Sequence, residues 1–295
     1  MTEEKTASRP FWRKLPFFGP KRPLVTVIEL SGVIGASGPG RRGLTHARLE
    51  APIEAAFKPA KLAAVALAIN SPGGSPVQST LIHDAIRRHA KKKNVPVYAF
   101  IEDVGASGGY MLALAGDEIY ADASSIVGSI GVIAASFGFQ EAIARLGVER
   151  RVYTSGESKS QLDPFRAEDP KDIERLRAIL GDIHEKFIAM VKARRGDRLK
   201  PDAETFSGAF WTADPALERG LIDGKAHLAD FMKARFGEDV RLKKIAPDKG
   251  SLLRRLAGGE ASGGNAVAAT RMTGFDPASV VGVLEEQALW SRYGL

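Results

Sequence analysis

The chain has 295 residues, enough to bury a substantial core, and its 44% hydrophobic content is that of an ordinary globular protein. It contains no cysteine, which excludes a disulfide framework, a thiol nucleophile and a cysteine-rich metal site. The net charge of +7 arises from basic residues that are scattered or terminal and carry no nucleic-acid-binding motif, so nucleic acid is not an expected partner.

In chain order, residues 9 to 23 interleave aromatic and basic side chains around Pro10, Pro16, Pro20 and Pro23. The prolines oppose one long helix, while the composition suits contact with an anionic membrane surface. The opening Met-Thr-Glu-Glu-Lys leads into no apolar signal region, and the longest uncharged stretch, Ala123 to Gln140, is too rich in Ser and Gly to span a bilayer. The expected location is therefore cytoplasmic, with peripheral attachment at the inner membrane through the arm as the alternative. Strands are expected at 24–30, 63–69, 95–101, 118–121 and 150–153. Helices are expected from about 79 to 93 and from 171 to about 195, the second marked by Ile173, Leu176, Ile183, Phe187 and Met190 at helical spacing. The alternation predicts an α/β domain. A flexible loop at 35–43 carries no phosphate-cradle pattern, and a Gly/Ser-rich linker occupies 258–265. Past it, Val280, Val281, Leu284, Leu289 and Trp290 supply enough apolar surface to dock on a partner subunit or near a substrate groove. The expected division is an arm at 1–23, a central domain at 24–245, and a linker with C-terminal tail at 246–295.

Four segments carry chemistry. Ser107 stands among Gly105, Ala106, Gly108 and Gly109, between a strand and the apolar run Tyr110 to Ala115. A serine so placed is open to substrate and lies at a helix start, where developing negative charge is favoured. By itself the same pattern also describes a glycine turn that lets helix and sheet pack closely. Ser71-Pro-Gly-Gly74 is a turn whose backbone N–H groups can line an oxyanion pocket. Gly128-Ser-Ile-Gly-Val132 carries the hydroxyl of Ser129, and Gly156-Glu-Ser-Lys-Ser160 carries Lys159 in a short polar loop.

In this order and spacing, the four segments resemble the signal peptide peptidase A (SppA) family of Ser-Lys serine peptidases, over roughly residues 24 to 230. The resemblance implies a ClpP/crotonase-like fold of repeated ββα units, extended here by the N-terminal arm and the C-terminal tail. It implies Ser107 as nucleophile, Lys159 as general base, Ser129 as the group that orients the lysine amine, and the backbone N–H groups of Gly73 and Gly108 as the oxyanion hole. A short helix before a last strand is implied within 208–223. The resemblance further implies a serine endopeptidase acting on extended, apolar peptides, such as cleaved signal peptides or unfolded segments, with no cofactor and no metal. Its short single-copy members imply a ring-shaped homo-oligomer, an octamer being one option, whose active sites are shared between neighbours. The membrane-spanning anchor of many relatives is not expected here.

The chemistry of such a pair follows from elementary acid–base behaviour. A serine hydroxyl needs a base, and a solvated lysine, with a pKa of about 10.4, is protonated near neutral pH. Burial favours the neutral amine and makes it competent to take the proton. The apolar Val152, Tyr153, Leu162 and Phe165 around the loop are expected to provide that burial. The histidines at 46, 83, 89, 184 and 227 fall in none of the four segments, and His184-Glu185 lacks the second histidine of a zinc-protease helix. Two other classes compete: a crotonase-type acyl-CoA enzyme, which would leave Ser107 and Lys159 without a role, and a non-catalytic peptide-binding scaffold.

Overall fold

The computed structural model describes residues 22–35, 43–245 and 287–295. Most of the basic-aromatic arm, most of the 35–43 loop, the 258–265 linker and the apolar residues at 280–284 lie outside the described residues.

Three strands of almost continuous apolar sequence, β1 (Leu24–Ser31), β2 (Leu62–Ser71) and β3 (Val97–Ala106), lie side by side in parallel. Such strands are buried on both faces, and the period-two alternation decides which side chain meets which layer. Val65, Leu67 and Ile69 of β2 face a helical layer built from α1 (His46–Phe57), α2 (Pro76–Lys93), α3 (Gly108–Ala113) and the C-terminal half of α5 (Pro170–Arg195). Ala64, Ala66 and Ala68 face the other side, where α7 (Leu228–Phe236) lays Met232 and Phe231 against Tyr98 and Phe100. Beyond β1 the sheet continues with β8 (Arg241–Ile245). On the far side, β3 is shared: its first half pairs with β4 (Glu118–Ala121), its last three residues with β5 (Ile126–Gly128). β7 (Gly224–Lys225) follows β4, and β6 (Phe210–Trp211) closes against β5 as the antiparallel member. The short helix α6 (Ala213–Glu218) lies between β6 and β7, inside the implied 208–223 segment.

The expected ClpP/crotonase-like architecture of repeated ββα units is corrected by this topology. A helix separates β1 from β2 and β2 from β3, as parallel neighbours require, and among the described strands only β4 and β5 follow one another without a helix between. The expected strand at 150–153 is also absent; these residues are exposed and pair with no strand. They belong to a projection, residues 132–169, that leaves the sheet after β5 and includes the one-turn helix α4 (Gln140–Arg145). α1 escapes a periodicity reading because Pro52 sits inside it, where proline removes a helical hydrogen bond.

The helix ends explain where the long elements start. Ser75 caps α2, accepting from the Gln78 N–H, with Pro76 in the first turn, where the missing N–H costs nothing. Asp169 caps α5 in the same way through the Lys171 N–H at 2.9 Å. At its other end α5 is tied down by ions: Arg194 donates to the Leu114 and Gly116 carbonyls, and Arg195 donates to Asp223 at 2.8 and 3.0 Å and to the Gly220 carbonyl. The Arg195 side chain is 1% exposed. Burial pushes the Asp223 carboxyl up, but hydrogen bonding and charge from Arg195, the Ile119 N–H and Arg198 outweigh it and hold the group below the usual carboxylate range. The same corner receives the Tyr110 hydroxyl, which donates to the Leu221 carbonyl at 2.7 Å and so anchors α3.

Asp223→Asn leaves the Arg195 guanidinium buried without a counter-ion and is expected to cost on the order of 3 kcal/mol. Because the folded carboxyl titrates below its unfolded value, its contribution is present above the usual carboxylate range and lost as pH falls through the lowered folded value. The wild-type melting temperature should therefore drop on acidification below about pH 4 more steeply than that of the variant. Parallel melting curves from pH 7 downward for the two proteins would refute the assignment.

Candidate active site

The site lies at the carboxyl ends of β2, β3 and β5, where open parallel sheets present their crevices. β3 runs to Ala106, so Ser107 is the residue on which the strand breaks and α3 begins. It adopts φ 53° and ψ −121°, a conformation that costs a non-glycine residue roughly 1–3 kcal/mol. Local hydrogen bonds hold it there: the Ser107 N–H donates to the Gly128 carbonyl at 2.8 Å, and its own carbonyl accepts from Met111 at 3.1 Å. The turn aims the hydroxyl away from the core, as a nucleophile elbow does.

The Ser71-Pro-Gly-Gly74 turn leaves the adjacent strand and passes under this serine. A Cβ on Gly73, whose φ is +107°, would lie 2.8 Å from the Ser107 Cβ and 2.9 Å from the Gly108 nitrogen. A Cβ on Gly108 would come within 2.5 Å of Ser79 Oγ at the start of α2. Glycine is required at both places because two backbones and a helix start meet there. The Gly108 N–H heads α3 and has no intrahelical acceptor. The Gly73 N–H donates to Ser71 Oγ at 3.2 Å, a long bond that an oxyanion can displace. Ser71 is a participant that sequence reasoning missed. Its place as the first residue of the Pro-Gly-Gly turn was the available signal.

Above Ser107 opens a cavity of about 740 Å³. Val77 and Leu81 of α2, Met111 of α3, Ile133, and Phe187 and Met190 of α5 make its walls apolar. Leu289 and Arg292 of the C-terminal tail line it as well, in keeping with a tail that docks near the groove. No histidine lines this cavity, and among the described residues no group of His, Asp or Glu is arranged to hold a metal ion.

Ser129 follows β5 directly and is nearly buried. Its backbone is fixed at φ 52° by an N–H bond to the Ala209 carbonyl at 2.7 Å and by the Gly131 N–H bonding its carbonyl at 2.9 Å. Because Ser107 bonds Gly128 and Ser129 is the next residue, the two serines belong to one rigid strand end.

Lys159 is elsewhere. It is exposed in a turn of the 132–169 projection and does not line the cavity at Ser107. The expected apolar shelter is not supplied by its own chain: Val152 and Leu162 are exposed, and Tyr153 is 90% exposed. The turn is nonetheless ordered. Arg175 of α5 donates to Ser158 Oγ at 2.7 Å, the Leu162 N–H donates to Asp172, and Arg150 grips Asp163 through two nitrogens while lying over the Phe165 ring. Phe139 packs between Phe137 and Phe165. Of the five residues singled out from the sequence, the structure brings Ser107, Ser129, Gly73 and Gly108 together and leaves Lys159 on the projection.

The model of peptidase family S49 matches residues 89–239, which include Ser107, Ser129 and Lys159. A putative protease of Synechocystis sp. is 31% identical over 251 residues, 83% of this chain and 87% of its own length. A Brucella melitensis protein named Na(+)/H(+) antiporter NhaA is 48% identical over 272 residues, 92% of this chain but only 37% of its own length. A second Brucella relative of that name matches to the same extent, so the chain spans little more than a third of these two relatives. Among solved structures, a lysine-to-alanine mutant of the 1510-N membrane-bound stomatin-specific protease with a substrate peptide superposes with a TM-score of 0.49 at 16% identity, covering 81% of this chain and 97% of that one. Family membership takes the place of the ClpP/crotonase assignment, whose repeated units the topology does not contain: this chain belongs to peptidase family S49.

Proposed function

We propose that this chain hydrolyses peptide bonds with Ser107 as nucleophile and Lys159, supplied by a neighbouring copy of the chain, as general base. The observation that carries the reading is the split site. The strained serine and its oxyanion donors are assembled at the mouth of an apolar cavity, while the lysine stands exposed on a projection of the same chain. That projection carries apolar side chains left largely exposed among the described residues, including Phe137 at 74% and Leu146 at 77% exposure. A surface of this kind marks an interface. A second copy covering it would also desolvate the lysine amine, which then takes the Ser107 proton. Ser107 attacks the scissile carbonyl, and the oxyanion is held by the Gly108 N–H and by the Gly73 N–H released from Ser71. The lysine returns the proton to the leaving amine; the now neutral lysine next takes a proton from water, which attacks the acyl group, and hands that proton to Ser107 Oγ as the acid leaves. Ser129 orients the amine throughout. A head-to-tail contact that repeats closes into a ring.

The cavity walls favour an extended peptide with apolar side chains near the cut, such as a cleaved signal peptide or an unfolded segment. An acyl-CoA enzyme gives no reason for the strain at Ser107, and a bare scaffold gives none for the paired N–H groups beneath it. The antiporter name of the Brucella relatives is not carried over, since no helix of the described residues is long and apolar enough to cross a membrane. Peripheral membrane contact is assigned to the basic-aromatic arm at 9–23.

Ser107→Ala and Lys159→Ala should each abolish peptide hydrolysis with no loss of fold, because neither side chain contributes apolar burial. Mixed by co-expression at equal dose, the two inactive chains should regain about a quarter of the wild-type sites, those that pair an intact serine with a neighbour's intact lysine. No recovery in a verified mixed oligomer would place the dyad within one chain. Gly73→Ala crowds Ser107 and displaces one oxyanion donor, so turnover should fall by at least about 100-fold. Near-normal turnover in that variant would remove Gly73 from the oxyanion hole.

A further inference from the structure

The C-terminal tail does more than wall the cavity. Residues 287–291 form a short helix that brings Trp290 and Tyr293 against Val104, Ala106 and Ile126, at the strand ends that carry both serines. Tyr293 is buried; its ring meets Phe210 edge-on at 5.1 Å, and its hydroxyl donates to Ser129 Oγ at 3.2 Å. Among the described residues this is the one hydrogen bond found for either hydroxyl. The Ser129 backbone is pinned by Ala209 and Gly131, so what the tyrosine fixes is the direction of the serine hydroxyl.

The geometry points to Tyr293 as a positioning residue for the dyad, acting through Ser129; the inference rests on the reading of Ser129 as the partner of the lysine amine. A hydroxyl offers one proton and two lone pairs. With Tyr293 donating into its oxygen, Ser129 keeps its own proton for a third group. Donation from Ser129 to the incoming amine favours the neutral amine, which is the form that can deprotonate Ser107. Without the tyrosine hydroxyl, Ser129 is free to turn and accept from the ammonium, which favours the protonated and unreactive form. The tail of one copy therefore helps prepare the base that arrives from another.

Other titratable groups share this neighbourhood. His184 of α5 lies 2.9 Å from the Ile130 carbonyl, Arg292 is in the tail, and Glu102, Asp103, Asp122 and His227 surround a second cavity that Tyr293 also lines.

The test is Tyr293→Phe in the full chain, which deletes the hydroxyl and keeps the ring packing. The rate of Ser107 labelling by a fluorophosphonate, measured between about pH 6 and 10, should fall roughly 3- to 10-fold near neutrality, with its controlling ionisation moved to higher pH. KM for a model peptide and the melting temperature should stay near wild type. In a Ser129→Ala background the second substitution should cost nothing further, because the two act in series. An unchanged pH profile for Tyr293→Phe, beside a Ser129→Ala enzyme that is slowed, overturns the inference and spares the reading of Ser129. A Tyr293→Phe enzyme faster than wild type also overturns it, because the tail then obstructs the site. A Ser129→Ala enzyme that labels like wild type removes the reading of Ser129 itself, and this inference with it.

Discussion

The backbone of Ser107 is the constraint on which the site depends. A non-glycine residue at φ 53° and ψ −121° persists only when its surroundings over-determine it, and here they do. β3 fixes the approach, the Gly128 carbonyl takes the serine N–H, and α3 takes over at the next residue. α3 is in turn pinned through Tyr110 to Leu221, beside the Arg195–Asp223 pair. The chain of support runs from a buried ion pair, through a tyrosine hydroxyl, to the nucleophile. A loss of stability at Asp223 should therefore appear at Ser107 only when the corner opens, since each link is a discrete hydrogen bond between rigid elements.

The chain leaves the packed sheet at residue 132. Everything before it that concerns the reaction belongs to the packed sheet and its helices. Lys159 belongs to the projection, where Arg150, Asp163, Phe139 and Phe165 hold one another but little of the apolar surface is covered. The N-terminal half of α5 shares this character, with Ile179 exposed although it lies on the helix's apolar stripe. Apolar side chains left in water over such a length lose the hydrophobic gain that normally orders a segment. A neighbouring copy would restore it and, in the proposed reading, would bring the base to the nucleophile in the same event. Assembly and activation are then one equilibrium.

The sequence made local chemistry legible and long-range placement obscure. The continuous apolar run at 63–69, the alternation at 118–121, the apolar spacing of α5, and the glycines around Ser107 have local causes, and each of those features is found in the structure. The Ser71 hydroxyl beneath Gly73 was within reach of the same reasoning. What failed was whatever depended on a partner strand or a partner surface. Arg150 to Tyr153 has the composition of a strand, yet no described strand pairs with it. Of the apolar residues that read as shelter for Lys159, Val152, Tyr153 and Leu162 are exposed. The repeated ββα expectation failed for a related reason: strand order is a property of the crossovers, and no residue pattern within a strand records it. Tyr293 was invisible because a tail tyrosine carries no local mark of the serine it meets 164 positions earlier.

The division of labour that results has a chemical logic. A serine peptidase that finished its dyad within each newly made chain would be active as soon as it folded, in the company of other unfolded chains. In the proposed reading the parts that need accurate geometry, the Ser107 elbow and the Gly73 and Gly108 N–H groups, are built into the sheet, where packing and local hydrogen bonds set them. The part that needs only desolvation and one hydrogen bond, the lysine amine, is the part placed on the projection. On the proposed roles, the Tyr293 bond to Ser129 extends this logic, because it sets the receiving hydroxyl within one copy while the lysine comes from another.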